Sequence, residues 1–299
     1  MSHSVCLFAY HDPAGTLAPH TRHLLNQIAD CGFEIHVAVS SLSPQDHQGL
    51  ENLKRSFTSG PNPVKAKLYP RENAGLDFGS WQELLKQHCD EGADEILFAN
   101  DSVFGPMVPL SPIVTRMRAE QHPIWGMVRS EAINRHLQSW FLVMTRQAFE
   151  HPAIQRVFRQ PFCEMSKPEI VLHGELGLGL AMQAAEMDMA ASWSGTRGIA
   201  RLLAINPMHT DWRAVLRSGK APFIKTELLR DNPSGIPSVH LWRQEIPDPA
   251  FFNPDWIAQY LANHPPRAQY KKAGFRARLV QAIASEDRLH ALPALLLGR

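Results

Sequence analysis

The stretch RENAGLDFGSWQELLKQHCDEGADEILFANDSVFGPMVP, residues 71–109, decides how the rest of the chain is read. It opens and closes on loops rich in glycine and polar side chains. Between them lie a segment with helical spacing (Trp81, Leu84, Leu85) and a β-rich run, EILFA, at residues 95–99. In the first loop, ENAGLDFG at residues 72–79, Gly75 can take a positive φ and let backbone approach a ligand, and Asn73 and Asp77 can hydrogen-bond one. Asp77 or Ser80 can cap the helix that follows. A capped turn without a ligand has the same composition, so this loop alone leaves both readings open.

The second loop begins abruptly where the run at 95–99 ends, in Asn100-Asp101-Ser102. In open α/β sheets the ligand crevice lies beyond the carboxyl ends of the strands. An acid at such an end can coordinate a hard divalent cation or hold a ribose hydroxyl. An Asx turn leading into Gly105-Pro106 is the structural alternative. Two such loops at successive strand ends weigh against it.

Working back toward the N-terminus, residues 5–10 form an apolar run that reaches His11-Asp12-Pro13, and residues 19–31 place Leu24, Leu25 and Ile28 on one helical face. A β-rich run at 33–39, a helix at 44–57 opened by Ser43 as its cap, and a strand at 64–69 follow. Strand alternating with helix implies right-handed crossovers and a Rossmann-like, mainly parallel sheet flanked by helices, an α/β fold.

Toward the C-terminus, a helix at 110–118 leads to a strand at 124–128. The polar run His136-Leu137-Gln138-Ser139 then feeds the bulky strand that starts at Phe141; its polar side chains can face a cleft, or His136 can sit on the surface without a role. Glu175, in HGELGLG at 173–179, stands at the start of a helical pattern. The helix dipole favours a carboxylate there for structural reasons alone, and the functional reading is a general base. After a strand at 190–193, His209 is a candidate metal residue and Lys225 a candidate partner for a phosphate, although both residue types serve more often on the surface or in packing.

Prolines 233, 237, 247, 249, 254, 265 and 266 make residues 231–266 an irregular wrap with a short helix at 256–262. In the tail, 270–297, Lys271, Lys272, Arg276 and Arg278 alternate with Phe275, Leu279, Val280 and Ile283. That is a basic amphipathic helix, suited to anionic lipid headgroups or a partner, and equally to docking on the body.

The 299 residues, 44% of them hydrophobic, suffice for a large α/β domain with an appendage. The net charge of +1 gives no case for nucleic acid, but residues 267–299 carry seven Lys/Arg against two Asp/Glu. The four cysteines are scattered without metal-ligand spacing, which predicts free thiols. No run of about 18 apolar residues spans a bilayer, and the first residues lack the build of a signal peptide, so a soluble, cytoplasmic protein is expected.

Six ordered motifs carry a resemblance: ENAGLDFGSW (72–81), ILFANDSVFGPM (96–107), WGMVRSE (125–131), HLQSWFLV (136–143), HGELGLG (173–179) and PFIKTELLRDNP (222–233). Together they resemble the rhamnan synthesis F family of bacterial polysaccharide glycosyltransferases, collinearly from about residue 3 to 233. The resemblance implies a GT-A-type transferase of a nucleotide-diphosphate sugar, most simply dTDP-L-rhamnose, acting on a glycan or lipid-linked glycan acceptor of the cell surface. It implies a nucleotide-sugar domain at 1–230, with the Pro-rich wrap and basic C-terminal helices at 231–299. Asn73, Gly75, Asp77, Asn100, Asp101, Ser102 and Lys225 would bind the donor, His136, Gln138 and Ser139 would line the cleft on the acceptor side, and Glu175 would be the base of an inverting displacement.

The Asn100-Asp101-Ser102 run falls where GT-A enzymes keep Asp-x-Asp, yet only Asp101 is acidic. A Mg²⁺ or Mn²⁺ ion, if used, would take Asp101 and His209; without one, Lys225 or nearby arginines would carry the phosphate charge. The alternative function is a non-catalytic nucleotide-sugar-binding subunit of a glycan assembly complex.

Overall fold

In the computed structural model of the chain, residues 3–12, 15–41, 45–195, 206–267 and 274–284 are described, together with Leu289 and Pro293. The chain divides into two compact units. The first comprises residues 1–101, 109–129 and 134–192, and the second residues 102–108, 130–133 and 193–299. The Pro-rich segment expected to begin at residue 231 thus shares a unit with residues 193–230.

The first unit is built on strands β1 (Ser4–Tyr10), β2 (Phe33–Val39), β3 (Lys67–Pro70) and β4 (Glu95–Asn100), which run parallel in the order β3-β2-β1-β4. Every residue of β1 is buried, the mark of a central parallel strand covered on both faces. The crossovers between these strands hold helices α1 (Pro19–Asp30), α2 (His47–Thr58) and α3 (Leu76–Lys86). Beyond the two-residue strand β5 (Val103–Phe104), which belongs to the second unit, come helix α4 (Ser111–Ala119) and strands β6 (Ile124–Ser130), β7 (His136–Leu137) and β8 (Phe141–Thr145). The sheet continues from β4 through β8 and β6 to β7.

The antiparallel pairing of β8 with β4, in register Ala99↔Phe141, has a topological consequence. It delivers the start of β8 to the carboxyl end of β4. Helices α5 (Arg146–Phe149), α6 (Pro152–Phe158), α7 (Lys167–Ile170) and α8 (Leu176–Ala184) follow, and β9 (Met189–Trp193) pairs with β6. The expected α/β architecture, a mainly parallel sheet flanked by helices, is what the chain adopts.

The core of this unit joins strand residues such as Leu7, Ile96, Phe98 and Met144 to an aromatic cluster. Phe78 and Trp81 of α3 lie 4.9 Å apart, Trp81 and Phe98 5.5 Å, and Phe78 and Phe162 4.7 Å between ring centroids. Such pairs contribute about 0.5–1.5 kcal/mol each beyond the area they bury. Both aromatic residues of the DFGSW motif are therefore core.

The second unit pairs β5 with β10 (Ile224–Lys225) and holds α9 (Pro207–Thr210), α10 (Trp212–Arg217), α11 (Thr226–Arg230), α12 (Asp255–Asn263) and α13 (Phe275–Ala284). Phe104, Trp212, Ile224, Leu228, Phe252 and Ile257 form its core. The Pro-rich stretch is less irregular than expected, because Pro237–Glu245 winds as a 3-10 helix.

Several boundaries differ from expectation. Helix α2 starts at His47, where Asp46 caps it by accepting the Gly49 N–H at 2.8 Å; the expected cap, Ser43, lies outside the described residues. Strand β3 begins at Lys67 rather than 64, because the Val64 N–H is spent on the Phe57 carbonyl as the chain leaves α2. Of the expected basic tail, Lys271 and Lys272 lie outside the described residues, as do the side chain of Arg276 and most of the chain beyond 284. The cysteines are free, three buried and Cys163 exposed. Among the described residues no helix is long and apolar enough to cross a membrane.

Candidate active site

Gly75 takes φ +72° at the N-terminus of α3, as its place in the loop demands. What its missing side chain admits is protein, for a Cβ there would lie 3.0 Å from the Cys163 nitrogen, the Phe162 carbonyl carbon and the Gly79 Cα. Gly79 is equally constrained, with the Ala74 carbonyl oxygen 2.4 Å from where its Cβ would be. These glycines fold the loop tightly, and Arg71 fastens it. The buried guanidinium donates to Ser80 Oγ at 3.0 Å and to the Ala74 carbonyl at 2.7 Å. Neither expected cap operates: Asp77 lies in the first turn of α3, accepting its neighbour Phe78's N–H at 3.1 Å, and Ser80 Oγ donates back to the Leu76 carbonyl. Asn73 is exposed.

The two loops of residues 71–109 meet. Asn100 Nδ2 donates to Asp77 Oδ2 at 2.8 Å, so the asparagine that stands where an outer acid was looked for supplies the donor that Asp77 needs. Asp101 turns toward the end of β1, and its Oδ2 accepts the His11 N–H at 2.9 Å. Burial pushes its carboxyl up to about 7; the His11 N–H opposes that rise, while the negative charges of Asp12 and Asp77 add to it. Beside it, Tyr10 donates its hydroxyl to buried Asp12 at 3.3 Å and to the Thr16 carbonyl at 2.5 Å. His11, Asp12 and Arg71 were not among the candidates from sequence. The signal for the first two was present, since they follow an apolar strand as directly as Asn100-Asp101 does.

The Asn100 N–H donates to the Trp140 carbonyl at 3.3 Å, and through it β4 is tied to the start of β8. Ser139, one residue earlier, holds Glu175: its N–H donates to Glu175 Oε2 at 2.7 Å and its hydroxyl to the same oxygen at 2.8 Å. His136 Nε2 lies 3.5 Å from Glu175 Oε1, and Nδ1 sits 2.9 Å from the Asn134 carbonyl. Gln138 Oε1 accepts the Trp140 indole N–H at 2.9 Å. The run expected to face a cleft is instead buried, with His136 4%, Gln138 3% and Ser139 8% exposed. Its polar atoms are satisfied by one another, by backbone and by Glu175, which is what lets them leave water.

Glu175 does not open a helix. The helix starts at Lys167 behind a capping box of Ser166 and Glu169, runs through a π-turn at Val171–Glu175 and continues into α8. Glu175 ends the π-turn, so the dipole of a helix N-terminus does not hold it; Ser139 does. The flanking glycines explain the approach. A Cβ on Gly174 would lie 2.7 Å from the Phe78 ring, and one on Gly179 2.6 Å from the Arg135 carbonyl and 2.7 Å from His136 Cβ. The helix backbone thus packs on the Phe78 ring of α3 on one side of Glu175 and against Arg135 and His136 on the other.

In the second unit, pairing of β10 with β5 brings Lys225 Nζ to 3.4 Å from Ser102 Oγ, and Thr226 N–H donates to the Ser102 carbonyl at 3.0 Å. His209 Nε2 lies 4.0 Å from Glu227 Oε2. For a divalent cation, no group of three or more His, Cys, Asp or Glu side chains gathers among the described residues. Asp101 belongs to the first unit and His209 to the second.

The polar loops and the held carboxylate lie at the strand ends of a mainly parallel sheet, where open α/β sheets place a ligand crevice. The chain belongs to the rhamnan synthesis protein F family, which it matches over residues 35–244. It is similar to the virulence protein VirA of Vibrio anguillarum, 26% identical over 225 residues that span 65% of this chain and 72% of that protein. Among solved structures it is similar to a protein described as a nucleotide-diphospho-sugar transferase from Desulfovibrio desulfuricans G20, with a TM-score of 0.40, 13% identity, and coverage of 87% of this chain and 99% of that one. It is also similar to the glycosyltransferase GlyE of Streptococcus pneumoniae TIGR4, with a TM-score of 0.39, 9% identity, and coverage of 90% and 66%.

Proposed function

We propose that this chain is a glycosyltransferase that moves a sugar from a nucleotide-diphosphate donor, L-rhamnose from dTDP-L-rhamnose, onto a bacterial surface-polysaccharide acceptor by a single inverting displacement. Family membership supports the class of reaction. The observation that carries the mechanism is the carboxylate of Glu175, held on one oxygen by two donors from Ser139 and tied through Trp140 to the strand end that bears Asn100 and Asp101.

In this reading Glu175 takes the proton of the acceptor hydroxyl as that oxygen attacks the anomeric carbon. The bond to the nucleotide diphosphate breaks, and the leaving group departs with the bonding electrons. Asp77 and Asp101 hold donor hydroxyls, with Asn100 fixing Asp77. In the second unit Ser102 and Lys225 offer a hydroxyl and an ammonium suited to phosphate oxygens. On the acceptor side, Ser139 and His136 lie against Glu175, and Gln138 holds the Trp140 indole beside them.

The tail is assigned to an anionic membrane surface at the inner face of the membrane, where a lipid-linked acceptor is presented. Phe275, Val280 and Ile283 of α13 are exposed, and the segment is basic. A second reading, a sugar-nucleotide-binding subunit without turnover, draws on the missing outer acids of the Asn100-Asp101-Ser102 run. Incubation with dTDP-L-rhamnose and other sugar nucleotides, with and without Mn²⁺ and with candidate acceptors, separates transfer from binding alone and from hydrolysis. Transfer supports the proposal, and binding without transfer supports the second reading.

A further inference from the structure

His136 is the one imidazole that the described structure sets against the base, and its two nitrogens have different partners. The Asn134 carbonyl can only accept, so Nδ1, 2.9 Å away, carries a hydrogen. That fixes the ring's tilt, and because Nε2 can hold a carboxylate oxygen only with a hydrogen of its own, the pairing is made by the doubly protonated, cationic ring. Nε2 is then left facing Glu175 Oε1 at 3.5 Å, while Ser139 occupies Oε2 with both its N–H and its hydroxyl. The ring is 4% exposed, so its place is set by packing rather than by solvent. Gly179 lets α8 approach closely enough for this meeting, because any side chain there would strike His136 itself.

We infer that His136 is a positioning residue for the transfer: it holds Oε1 of Glu175 in the orientation from which that oxygen meets the acceptor hydroxyl, through Nε2, while Nδ1 anchors the ring. This rests on the reading of Glu175 as the base. A glutamate side chain has considerable rotamer freedom to lose on being fixed. Removing the imidazole restores part of that freedom, and misplaced bases lose rate rather than affinity.

The test separates the two nitrogens. His136→Gln places an amide near Nε2 and keeps a donor for Glu175; His136→Asn places one near Nδ1 and keeps the anchor to residue 134. Turnover is read with dTDP-L-rhamnose and p-nitrophenyl α-L-rhamnoside, with thermal unfolding of both variants as the control for folding. The expected result is a loss in kcat of roughly 10- to 100-fold for the Asn variant, with KM within about threefold, and substantial rescue in the Gln variant. Equal losses, or activity kept by Asn and lost by Gln, overturn the inference by showing that only the anchor or the packing matters.

Should either variant fail to fold, or should this acceptor not turn over, the ring-nitrogen NMR shifts of His136 decide. A change at Nε2 but not Nδ1 on Glu175→Gln supports the pairing, and no change at Nε2 overturns it. If Glu175→Gln itself transfers sugar as wild type does, the reading of Glu175 has failed. That outcome differs from a failure confined to His136.

Discussion

Ser139 gives both its backbone N–H and its hydroxyl to one oxygen of Glu175, at 2.7 and 2.8 Å. The two donors differ in what a mutation can take away. Ser139→Ala removes the hydroxyl and keeps the N–H, and a hydrogen bond to a charged group is worth about 1.5–3 kcal/mol. Turnover is expected to fall roughly tenfold or more, with donor affinity unchanged, in steady-state kinetics paired with calorimetric titration of the sugar nucleotide. A loss of donor affinity with kcat intact would contradict the role given to Ser139.

Asn100 stands where the Asp-x-Asp pattern would place an acid, and the structure supplies a reason: its amide donates to Asp77 Oδ2 at 2.8 Å. Asn100→Asp turns that donor into a second carboxylate. The substitution is expected to cost about 1–3 kcal/mol at pH 8, through the lost bond and like-charge repulsion, and less at pH 4 as the carboxylates take up protons. Urea unfolding at the two pH values measures it. Unchanged stability at pH 8 would mean that the Asn100 to Asp77 bond is dispensable.

Asp101 yields a pH dependence. Its folded pKa, pushed up to about 7, lies above the ordinary aspartate value of 3.8, so the folded protein binds this proton more tightly than the unfolded chain does. The stability it contributes is fully present below about pH 4 and is lost as the pH rises through 7. Asp101→Asn keeps an acceptor for the His11 N–H without the charge. It is expected to gain on wild type by about 1–2 kcal/mol between pH 4 and 8, a figure discounted for the partial exposure of the group. A constant difference across that range in denaturant titrations would show that Asp101 titrates as a free carboxyl does.

Much of this fold was legible in the sequence, and the reasons are local. The strands at β1, β2 and β4 are short apolar runs between polar loops, and Gly75 sits where a positive φ was expected. What escaped depends on distant partners. Glu175 read as a helix start because the apolar periodicity begins there, whereas the cap signal, Ser166 to Glu169, stands one element earlier. His136, Gln138 and Ser139 read as cleft-facing because they are polar; each is buried because its partner comes from backbone or from residues that the pattern of the run does not mark. The Asn100 to Asp77 bond joins two loops that sequence could only place side by side.

The basic C-terminal segment makes a prediction about membranes. Removing residues 270–299 is expected to abolish co-sedimentation with vesicles containing anionic phosphatidylglycerol while the remaining chain keeps its thermal unfolding transition. Salt should weaken binding of the full chain in the same assay. Unchanged sedimentation after the deletion would assign the segment to docking on the body instead.

The central claim is that the carboxylate of Glu175 removes the acceptor proton, and the most direct measurement is turnover of wild type and Glu175→Gln side by side. Release of dTDP and of glycosylated acceptor from dTDP-L-rhamnose is followed, and donor affinity is measured separately by calorimetry. The account predicts transfer by wild type, a fall of roughly 100- to 10,000-fold in kcat for the variant, and donor binding within about threefold of wild type. Turnover by Glu175→Gln within a few-fold of wild type, or tight donor binding by wild type with no transfer to any acceptor, would contradict it.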